Sequence, residues 1–308
     1  MRAVAEAPSK VIITGEHFVV HGAWALAAAL PRKVRVEVKA ASSFRVTSQG
    51  SEEGLAGVAP VRKVVRAVAD KYSARQEVAV SVSSSVPRGA GLGSSAATMV
   101  ALAAALSKFH SLDLRVGDVI RLSMVGEREV HGRPSGIDPA VCALGGAILF
   151  RPGTRPKKVP LGGSRSLVVS YSGITRDTKG QIGRVSETKD RYPGYFARLA
   201  GSVGALSLDA AELLAKGDGQ RLGRLLTMNH AILGMLGVSN PTLDGMVDQM
   251  ISAGAYGAKV TGGGGGGSVV AVAPKAKEKS LVSGLSARGF ETFIAKVPVE
   301  GVKSWLEH

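Results

Sequence analysis

The segment that decides the fold is a glycine-rich loop ending in serines, and it reads Pro87-Arg88-Gly89-Ala90-Gly91-Leu92-Gly93-Ser94-Ser95-Ala96-Ala97. The alternating apolar residues of 78–82 precede it and predict a strand, whereas residues 96–109 predict a helix. Glycines let a backbone approach a phosphate closely, and the free N–H groups at a helix start point at it. The loop therefore predicts an anion site, with the hydroxyls of Ser94 and Ser95 available to a phosphate or a metal.

The two commonest nucleotide-binding loops do not fit this segment. It lacks the lysine that ends a Walker loop. The chain also lacks the His-Arg-Asp and Asp-Phe-Gly segments of protein kinases. Because glycine-rich strand-to-helix turns are common, the loop taken alone leaves a purely structural turn open.

Length and composition describe a globular chain of about two domains. The chain has 308 residues, 45% of them hydrophobic, and one cysteine, Cys142. A single cysteine excludes an internal disulfide and favours a reducing compartment. No signal-peptide pattern is visible, and no apolar run reaches the roughly 20 residues of a membrane span. We therefore expect a cytoplasmic protein that does not use a membrane.

The formal net charge of +15 has three interpretations. A basic chain can bind nucleic acid, steer anionic ligands by its field, or simply present a solvated basic surface. The lysines and arginines are scattered, and few aromatic residues lie among them. We favour a basic surface that steers phosphate ligands, and expect no nucleic-acid partner.

Polar residues are concentrated near the amino terminus. Residues 4–14 predict a strand interrupted at Pro8, followed by the segment 15–22. Lys10, Glu16 and His17 lie within this otherwise apolar stretch, and buried polar groups need partners. A ligand is one such partner, and a surface hairpin with a satisfied histidine is the alternative.

A carboxylate is presented by a second loop. Residues 114–131 predict a helix with Glu127 near its end, and residues 131–139 then form a loop rich in Pro and Gly. Asp138 stands at the end of that loop. It is either a functional carboxylate or the cap of a helix that Pro139 starts.

The second half predicts an α+β unit. Residues 151–164 are rich in Pro, Gly and Lys and are interpreted as a linker. The strands and helices that follow have the order of a split βαβ sandwich of ferredoxin-like type. Six consecutive glycines, 262–267, join two short apolar strands. They are either a flexible linker or a hairpin turn whose amides clamp a phosphate or the phosphate loop.

Three glycine-bearing stretches and the loop of Asp138 together carry a resemblance. Residues 7–10 with 15–22 resemble the first motif of the GHMP small-molecule kinases, in the form typical of the mevalonate kinases. Residues 87–97 resemble the second motif, residues 259–267 resemble the third, and residues 131–138 resemble the segment of the catalytic aspartate. The order and spacing agree over nearly the whole chain, and the length suits the shorter archaeal-type members.

The resemblance implies a two-domain α+β fold. It consists of an N-terminal domain like ribosomal protein S5 domain 2, over residues 1–160, and a ferredoxin-like C-terminal domain over residues 161–308. It also implies transfer of the ATP γ-phosphoryl group to the 5-hydroxyl of mevalonate, in isoprenoid biosynthesis. Family habit further favours a homodimer.

The resemblance implies a role for each matching residue. Asp138 matches the catalytic aspartate, which accepts or orients the proton of the substrate hydroxyl, and Lys10 matches the lysine beside it. Residues 87–97 match the ATP-binding loop. Ser95 and Glu127 match the Mg²⁺ ligands. The family positions that border the substrate correspond to Glu16, His17 and Thr178.

Alternatives to this function remain. Another GHMP kinase, acting on phosphomevalonate or a different alcohol, is the nearest. A kinase of the tertiary 3-hydroxyl of mevalonate fits the motifs less well. A basic nucleic-acid-binding protein leaves Glu127, Asp138 and the glycine loops without a purpose.

Overall fold

The computed structural model describes residues 2–48, 51–52, 55–161, 165–175 and 178–307. The strands are β1 (Arg2–Thr14), β2 (Ala25–Ala40), β3 (Arg45–Ser48), β4 (Ser51–Glu52), β5 (Val78–Ser84), β6 (Ala147–Phe150), β7 (Lys157–Val159), β8 (Arg165–Tyr171), β9 (Gly257–Thr261), β10 (Ser268–Val272), β11 (Glu291–Val297) and β12 (Lys303–Glu307). The helices are α1 (Leu55–Tyr72), α2 (Ser94–Phe109), α3 (Val116–His131), α4 (Ile137–Leu144), α5 (Thr178–Arg191), α6 (Pro193–Lys216), α7 (Gly219–Met235), α8 (Pro241–Ser252) and α9 (Glu278–Ser286).

A large mixed sheet organises the first half of the chain. Its order is β12-β1-β2-β5-β3-β4, and β6 and β7 extend it from β2. Among the strand pairs that the structure describes in this sheet, only β3 and β5 are parallel. On β2, alternate residues Val34, Val36 and Val38 are buried, and their alternation matches the period of a strand with one wet face.

Helix α2 lies at the centre of the first half and begins at the glycine-rich loop. Almost every residue from Ala96 to Leu106 is buried, and most are alanine. Small side chains let the helix approach β1 and β2 closely while α1, α3 and α4 pack around it. The start of α2 is therefore held in a fixed position by the core.

The second sheet is antiparallel throughout, with the order β11-β8-β10-β9. Numbered within this half, the order is 4-1-3-2, as expected for a ferredoxin-like unit. Helices α5 to α8 lie between β8 and β9 along the chain, and α9 lies between β10 and β11. The buried side chains of α8 and α9 pack on this sheet.

The two sheets are joined along β1 and the phosphate loop. Thr261 Oγ1 accepts a hydrogen bond from Ile12 N at 3.1 Å and donates one to Ile12 O at 2.9 Å. Ser268 Oγ donates to Ala90 O at 2.8 Å, and Tyr171 O–H donates to Arg88 O at 3.1 Å. The third glycine stretch is therefore fixed against the first and second ones.

Several sequence predictions are corrected by these elements. Strand β1 runs through Pro8 without interruption, with a register shift between Pro8 and Ser9. The predicted linker 151–164 contains β7, which pairs with β6, and its residues 162–164 lie outside the described residues. Strand β12 was not predicted, and it returns the end of the chain to the first sheet. Within the described ranges, no helix combines the length and apolar character needed to cross a bilayer.

Candidate active site

The loop between β5 and α2 has the geometry of an anion cradle. Gly89, Gly91 and Gly93 have φ angles of 74°, 78° and 78°. Ala90 and Leu92 alternate with them, and their side chains are buried. Backbone that alternates in this way turns successive N–H groups toward one concave side. Helix α2 starts at Gly93 without a side-chain cap, so its first N–H groups face the same region.

Lys10 passes directly beneath this loop. Its backbone N–H donates to Leu92 O at 2.8 Å. A Cβ atom on Gly93 would lie 2.6 Å from Lys10 Cγ, which is closer than carbon atoms approach. Glycine at position 93 is therefore needed both for its left-handed backbone and for the passage of the lysine side chain.

Lys10 and Asp138 form an ion pair at the loop. The distance from Lys10 Nζ to Asp138 Oδ2 is 3.0 Å; the lysine side chain is 1% exposed and the aspartate side chain is 30% exposed. Asp138 lies in the first turn of α4, whose N-cap is Gly136. The interpretation of Asp138 as the cap of that helix is therefore wrong. A buried cation thus faces a carboxylate that solvent or a substrate can reach.

Ser95 and Glu127 face each other across the start of α2 and the end of α3. Ser95 Oγ donates to Glu127 Oε1 at 2.5 Å, and Glu127 is buried. His131 Nε2 lies 3.9 Å from Glu127 Oε2. Among the residues that the structure describes, no group of three or more His, Cys, Asp or Glu side chains could hold a metal. The pair supplies two hard oxygen donors, as expected where Mg²⁺ is also bound by phosphates and water.

Glu16 is fully buried and paired with Lys259 of β9. The carboxylate Oε1 contacts Lys259 Nζ, which also donates to Val260 O at 2.6 Å. Burial raises the pKa of the Glu16 carboxyl, and the Lys259 and Lys10 ammonium groups oppose that rise. Burial lowers the pKa of the Lys259 amine, and Glu16 opposes that change. The alternative of a surface hairpin is therefore wrong for this segment.

His17 contacts the third glycine stretch. Its φ angle is 62°, and its Nε2 lies 3.1 Å from Gly263 O. A carbonyl only accepts, so Nε2 carries the proton in this contact. Residues 262–267 form a compact turn in which Gly265 N donates to Val238 O at 2.8 Å. The flexible-linker interpretation of the six glycines is wrong.

A cavity of about 250 Å³ opens beside the phosphate loop. Valine side chains of β3, β5, α1 and α3 line it together with polar residues, among which are Ser94 and Ser95 at the start of α2. Arg88 reaches across the opening, and its Nη2 lies 3.5 Å from Ser48 Oγ. Sequence reasoning left this pocket unassigned because its lining comes from many separate elements.

The structure brings together most of the residues predicted from the sequence. Lys10, Asp138, the loop 87–97, Ser95 and Glu127 surround one region. Glu16 and His17 lie in the turn that follows β1, where residues of the second half of the chain contact them. Thr178 opens α5, but its side chain lies outside the described residues.

Two buried polar residues of the second half escaped the sequence analysis. Lys259 was quoted only as part of a motif, although it is 0% exposed. Asn229 is buried, and its Oδ1 accepts from Gly15 N at 3.4 Å. The available signals were a lysine in a strand of apolar residues and one of only two asparagines in the chain.

Comparison with known proteins defines the class. The model of the GHMP kinases N terminal domain matches residues 59–146, and that of the GHMP kinases C terminal region matches residues 210–290. The chain belongs to the GHMP kinase family, as its three glycine motifs predicted. The predicted two-domain GHMP kinase fold is likewise confirmed.

Two relatives that are similar over the full length of the chain are mevalonate kinases. The mevalonate kinase of Thermococcus sibiricus is 34% identical to this chain, and the alignment covers 98% of each protein. That of Aeropyrum pernix is 33% identical, again over 98% of both.

Solved structures agree with this comparison. L. major mevalonate kinase in complex with R-mevalonate superposes with a TM-score of 0.83 at 30% identity, covering 96% of each chain. The Methanococcus jannaschii mevalonate kinase gives a TM-score of 0.81 at 25% identity, covering 96% of this chain and 98% of that one.

Proposed function

We propose that this chain transfers the γ-phosphoryl group of ATP to the 5-hydroxyl of mevalonate, giving 5-phosphomevalonate and ADP for isoprenoid biosynthesis. The observation that carries the proposal is the buried Lys10, 3.0 Å from Asp138 and directly beneath the phosphate loop. The full-length similarity to archaeal mevalonate kinases supports the choice of substrate.

ATP binds with its phosphates in the loop 87–97 and its nucleoside in the adjoining cavity. The amides that alternate with Gly89, Gly91 and Gly93 surround the phosphates, aided by the start of α2. The valine side chains of the cavity suit a base, and Ser94 and Ser95 lie where it adjoins the phosphate loop.

Ser95 and Glu127 hold Mg²⁺ in this proposal. Their oxygens already lie 2.5 Å apart, and both are of the type that Mg²⁺ prefers. When bound, the ion offsets charge on the phosphate oxygens of ATP. The buried carboxylate of Glu127 gains a compensating charge in that state, which is a reason for its placement.

Asp138 and Lys10 perform the chemistry on the acceptor. Asp138 accepts the proton of the substrate hydroxyl or orients it for in-line attack. The Lys10 ammonium lies between this carboxylate and the phosphate loop, where it stabilises the developing alkoxide and the transferring phosphoryl group. No covalent enzyme intermediate is needed. Cys142 lies behind Asp138 in the core, where burial raises the pKa of its thiol.

Glu16, His17 and Thr178 recognise the acceptor. The contact of its Nε2 with Gly263 O holds the His17 ring against the third glycine stretch. From this position the imidazole recognises the carboxylate of mevalonate. The homodimer and the cytoplasmic location are part of the same proposal, as is the division of the chain near residue 160. Size-exclusion chromatography with light scattering tests the dimer.

A panel of acceptors tests the proposed substrate. ADP release is measured with Mg-ATP and, in turn, mevalonate, phosphomevalonate, homoserine and galactose. We expect turnover with mevalonate alone. Turnover with another member of the panel would overturn the substrate but retain the mechanism. Heparin retention and thermal stabilisation by RNA, without stabilisation by Mg-ATP, would favour the nucleic-acid alternative.

A further inference from the structure

Four charged side chains are crowded around the turn that follows β1. Glu16 pairs with Lys259, and Lys10 pairs with Asp138. Three of them, Lys10, Glu16 and Lys259, are at most 1% exposed. Charges buried this deeply interact strongly, because little water screens them. The formal charges of the two lysines and the two carboxylates sum to zero. Each carboxylate can therefore hold one lysine, and the geometry determines which one it holds.

The Lys10 ammonium interacts electrostatically with a second carboxylate, that of Glu16. The Lys10 ammonium acts on Glu16 as well as on Asp138, and it also repels Lys259. One Glu16 oxygen, Oε1, is occupied by Lys259, whereas the other, Oε2, is buried without a hydrogen-bond partner. A cation that left Asp138 would find an acceptor at Oε2.

Contacts within the second half of the chain fix the position of Lys259. Its Nζ donates to Val260 O at 2.6 Å, which fixes the ammonium on the Glu16 side. Asn229 binds Gly15 N and so anchors the turn next to Glu16. His230, on the same helix as Asn229, is a further titratable group near Lys259, and Asp244 and Asp248 act on it from α8. Burial lowers its pKa, which favours the neutral imidazole.

We propose that Lys259 is a positioning residue that occupies the buried Glu16 carboxylate and thereby reserves Lys10 for Asp138. It acts through Glu16 and touches neither substrate. Without it, an ionised Glu16 competes with Asp138 for the Lys10 ammonium, and the catalytic pair is broken. The inference rests on the proposed phosphoryl transfer but not on the identity of the alcohol.

The test is the pH profile of kcat in Lys259→Met. Burial raises the Glu16 pKa, and removal of the Lys259 cation raises it further. Below that pKa, Glu16 is neutral and Lys10 stays on Asp138; above it, Glu16 is anionic and attracts Lys10. We therefore expect kcat relative to the unmodified protein to fall as pH rises, by roughly 10²-fold at alkaline pH, since a small misplacement of a reacting group has about that effect.

A double variant separates positioning from simple structural damage. In Glu16→Gln with Lys259→Met, the competing carboxylate is gone, so the pH-dependent loss of kcat disappears. Because Glu16 also recognises the acceptor in the proposed function, the readout is the change of kcat with pH and not its absolute value. Lys259→Arg keeps the cation and retains kcat. Lys275→Met, which also removes a lysine paired with a glutamate but on the surface, is the matched control and leaves kcat unchanged. If Lys259→Met does not fold, Lys259→Gln carries the same test.

The result that would overturn the inference is equally definite. A loss of kcat in Lys259→Met that is the same at every pH, or a double variant that keeps the pH-dependent loss of Lys259→Met, shows that Lys259 does not act through Glu16. The unmodified protein is assayed first. If the unmodified protein is inactive with every acceptor, the proposed function is contradicted. This outcome is distinct from a result that contradicts only the role of Lys259.

Discussion

The buried Lys10 is the residue around which the site is organised. Burying an ammonium is costly unless a partner compensates its charge. Asp138 provides that partner, and the passage beneath Gly93 restricts the alkyl chain. The lysine therefore needs little reorganisation when a phosphoryl group arrives. Such preorganised charge stabilises a transition state more effectively than a charge solvated by water.

Asp138→Asn tests the catalytic carboxylate. The amide keeps the size of the side chain but cannot accept the proton, so we expect kcat to fall by about 10²- to 10⁴-fold. Calorimetry should show ATP still bound. Asp118→Asn, in the first turn of α3, is the matched control because Asp118 is also an acidic residue in a first helical turn. Near-normal turnover of Asp138→Asn would contradict the assignment.

Gly93→Ala tests the passage of Lys10 beneath the loop. The new methyl group would lie 2.6 Å from Lys10 Cγ, so we expect kcat to fall by at least about tenfold as Lys10 is displaced. Gly153→Ala is the control, because Gly153 has the same φ of 78° but no neighbour within 4 Å. Both variants carry about 1–2 kcal/mol of backbone strain, measurable by thermal unfolding. Equal kcat in the two variants would exclude the steric explanation.

At the scale of elements, strong periodicity made the main strands and helices predictable. Strand β5, helix α2 and strand β11 all show clear apolar patterns in the sequence. Helix α5 was not predicted because its composition is mostly polar, and few of its positions repeat with a helical period. Strand β7 has only 3 residues and pairs with the preceding strand β6, whereas β12 has 5 residues and pairs with β1 at the other end of the sequence. Strand β7 is too short to show a period, and the formation of β12 depends on tertiary contacts that no local pattern records.

Helix α2 presents Ser95 to the metal in the proposed mechanism. Ser95→Ala removes one oxygen donor, so we expect the Mg²⁺ concentration for half-maximal activity to rise by roughly tenfold, the lower end for a residue that supports a metal. The KM for mevalonate should change little. Ser107→Ala, near the other end of the same helix, removes a hydroxyl that donates to Leu112 O and is the control. Titration of activity with Mg²⁺ makes the measurement, and an unchanged Mg²⁺ dependence would place the metal elsewhere.

At the scale of the whole molecule, the site exists only where the two sheets meet. The loop, Lys10 and Asp138 come from the first half, whereas Lys259, Asn229 and the glycine turn come from the second. The motifs predicted the first set with their roles. The second set depends on contacts between residues more than 200 positions apart, such as Glu16 with Lys259. Sequence spacing carries no information about such a pairing.

Thr261→Val tests the connection between the sheets. The valine is similar in shape but leaves Ile12 N and O without their partner. We expect a loss of about 1–3 kcal/mol in the free energy of unfolding, because buried backbone groups are left unpaired. Thr188→Val removes an exposed hydroxyl that binds within its own helix and is the control. Denaturant unfolding measures both; an equal effect would show that the Thr261 contact does not stabilise the seam.

The central claim is direct phosphoryl transfer to the 5-hydroxyl of mevalonate. The measurement that tests it most directly is phosphorus NMR of the product formed from Mg-ATP and mevalonate, with proton coupling resolved. The account predicts a phosphomonoester coupled to two protons on C5, formed in amounts equal to ADP. A phosphorus signal without coupling to a methylene group, as expected for the tertiary 3-hydroxyl, or no phosphorylated product at all, would contradict it.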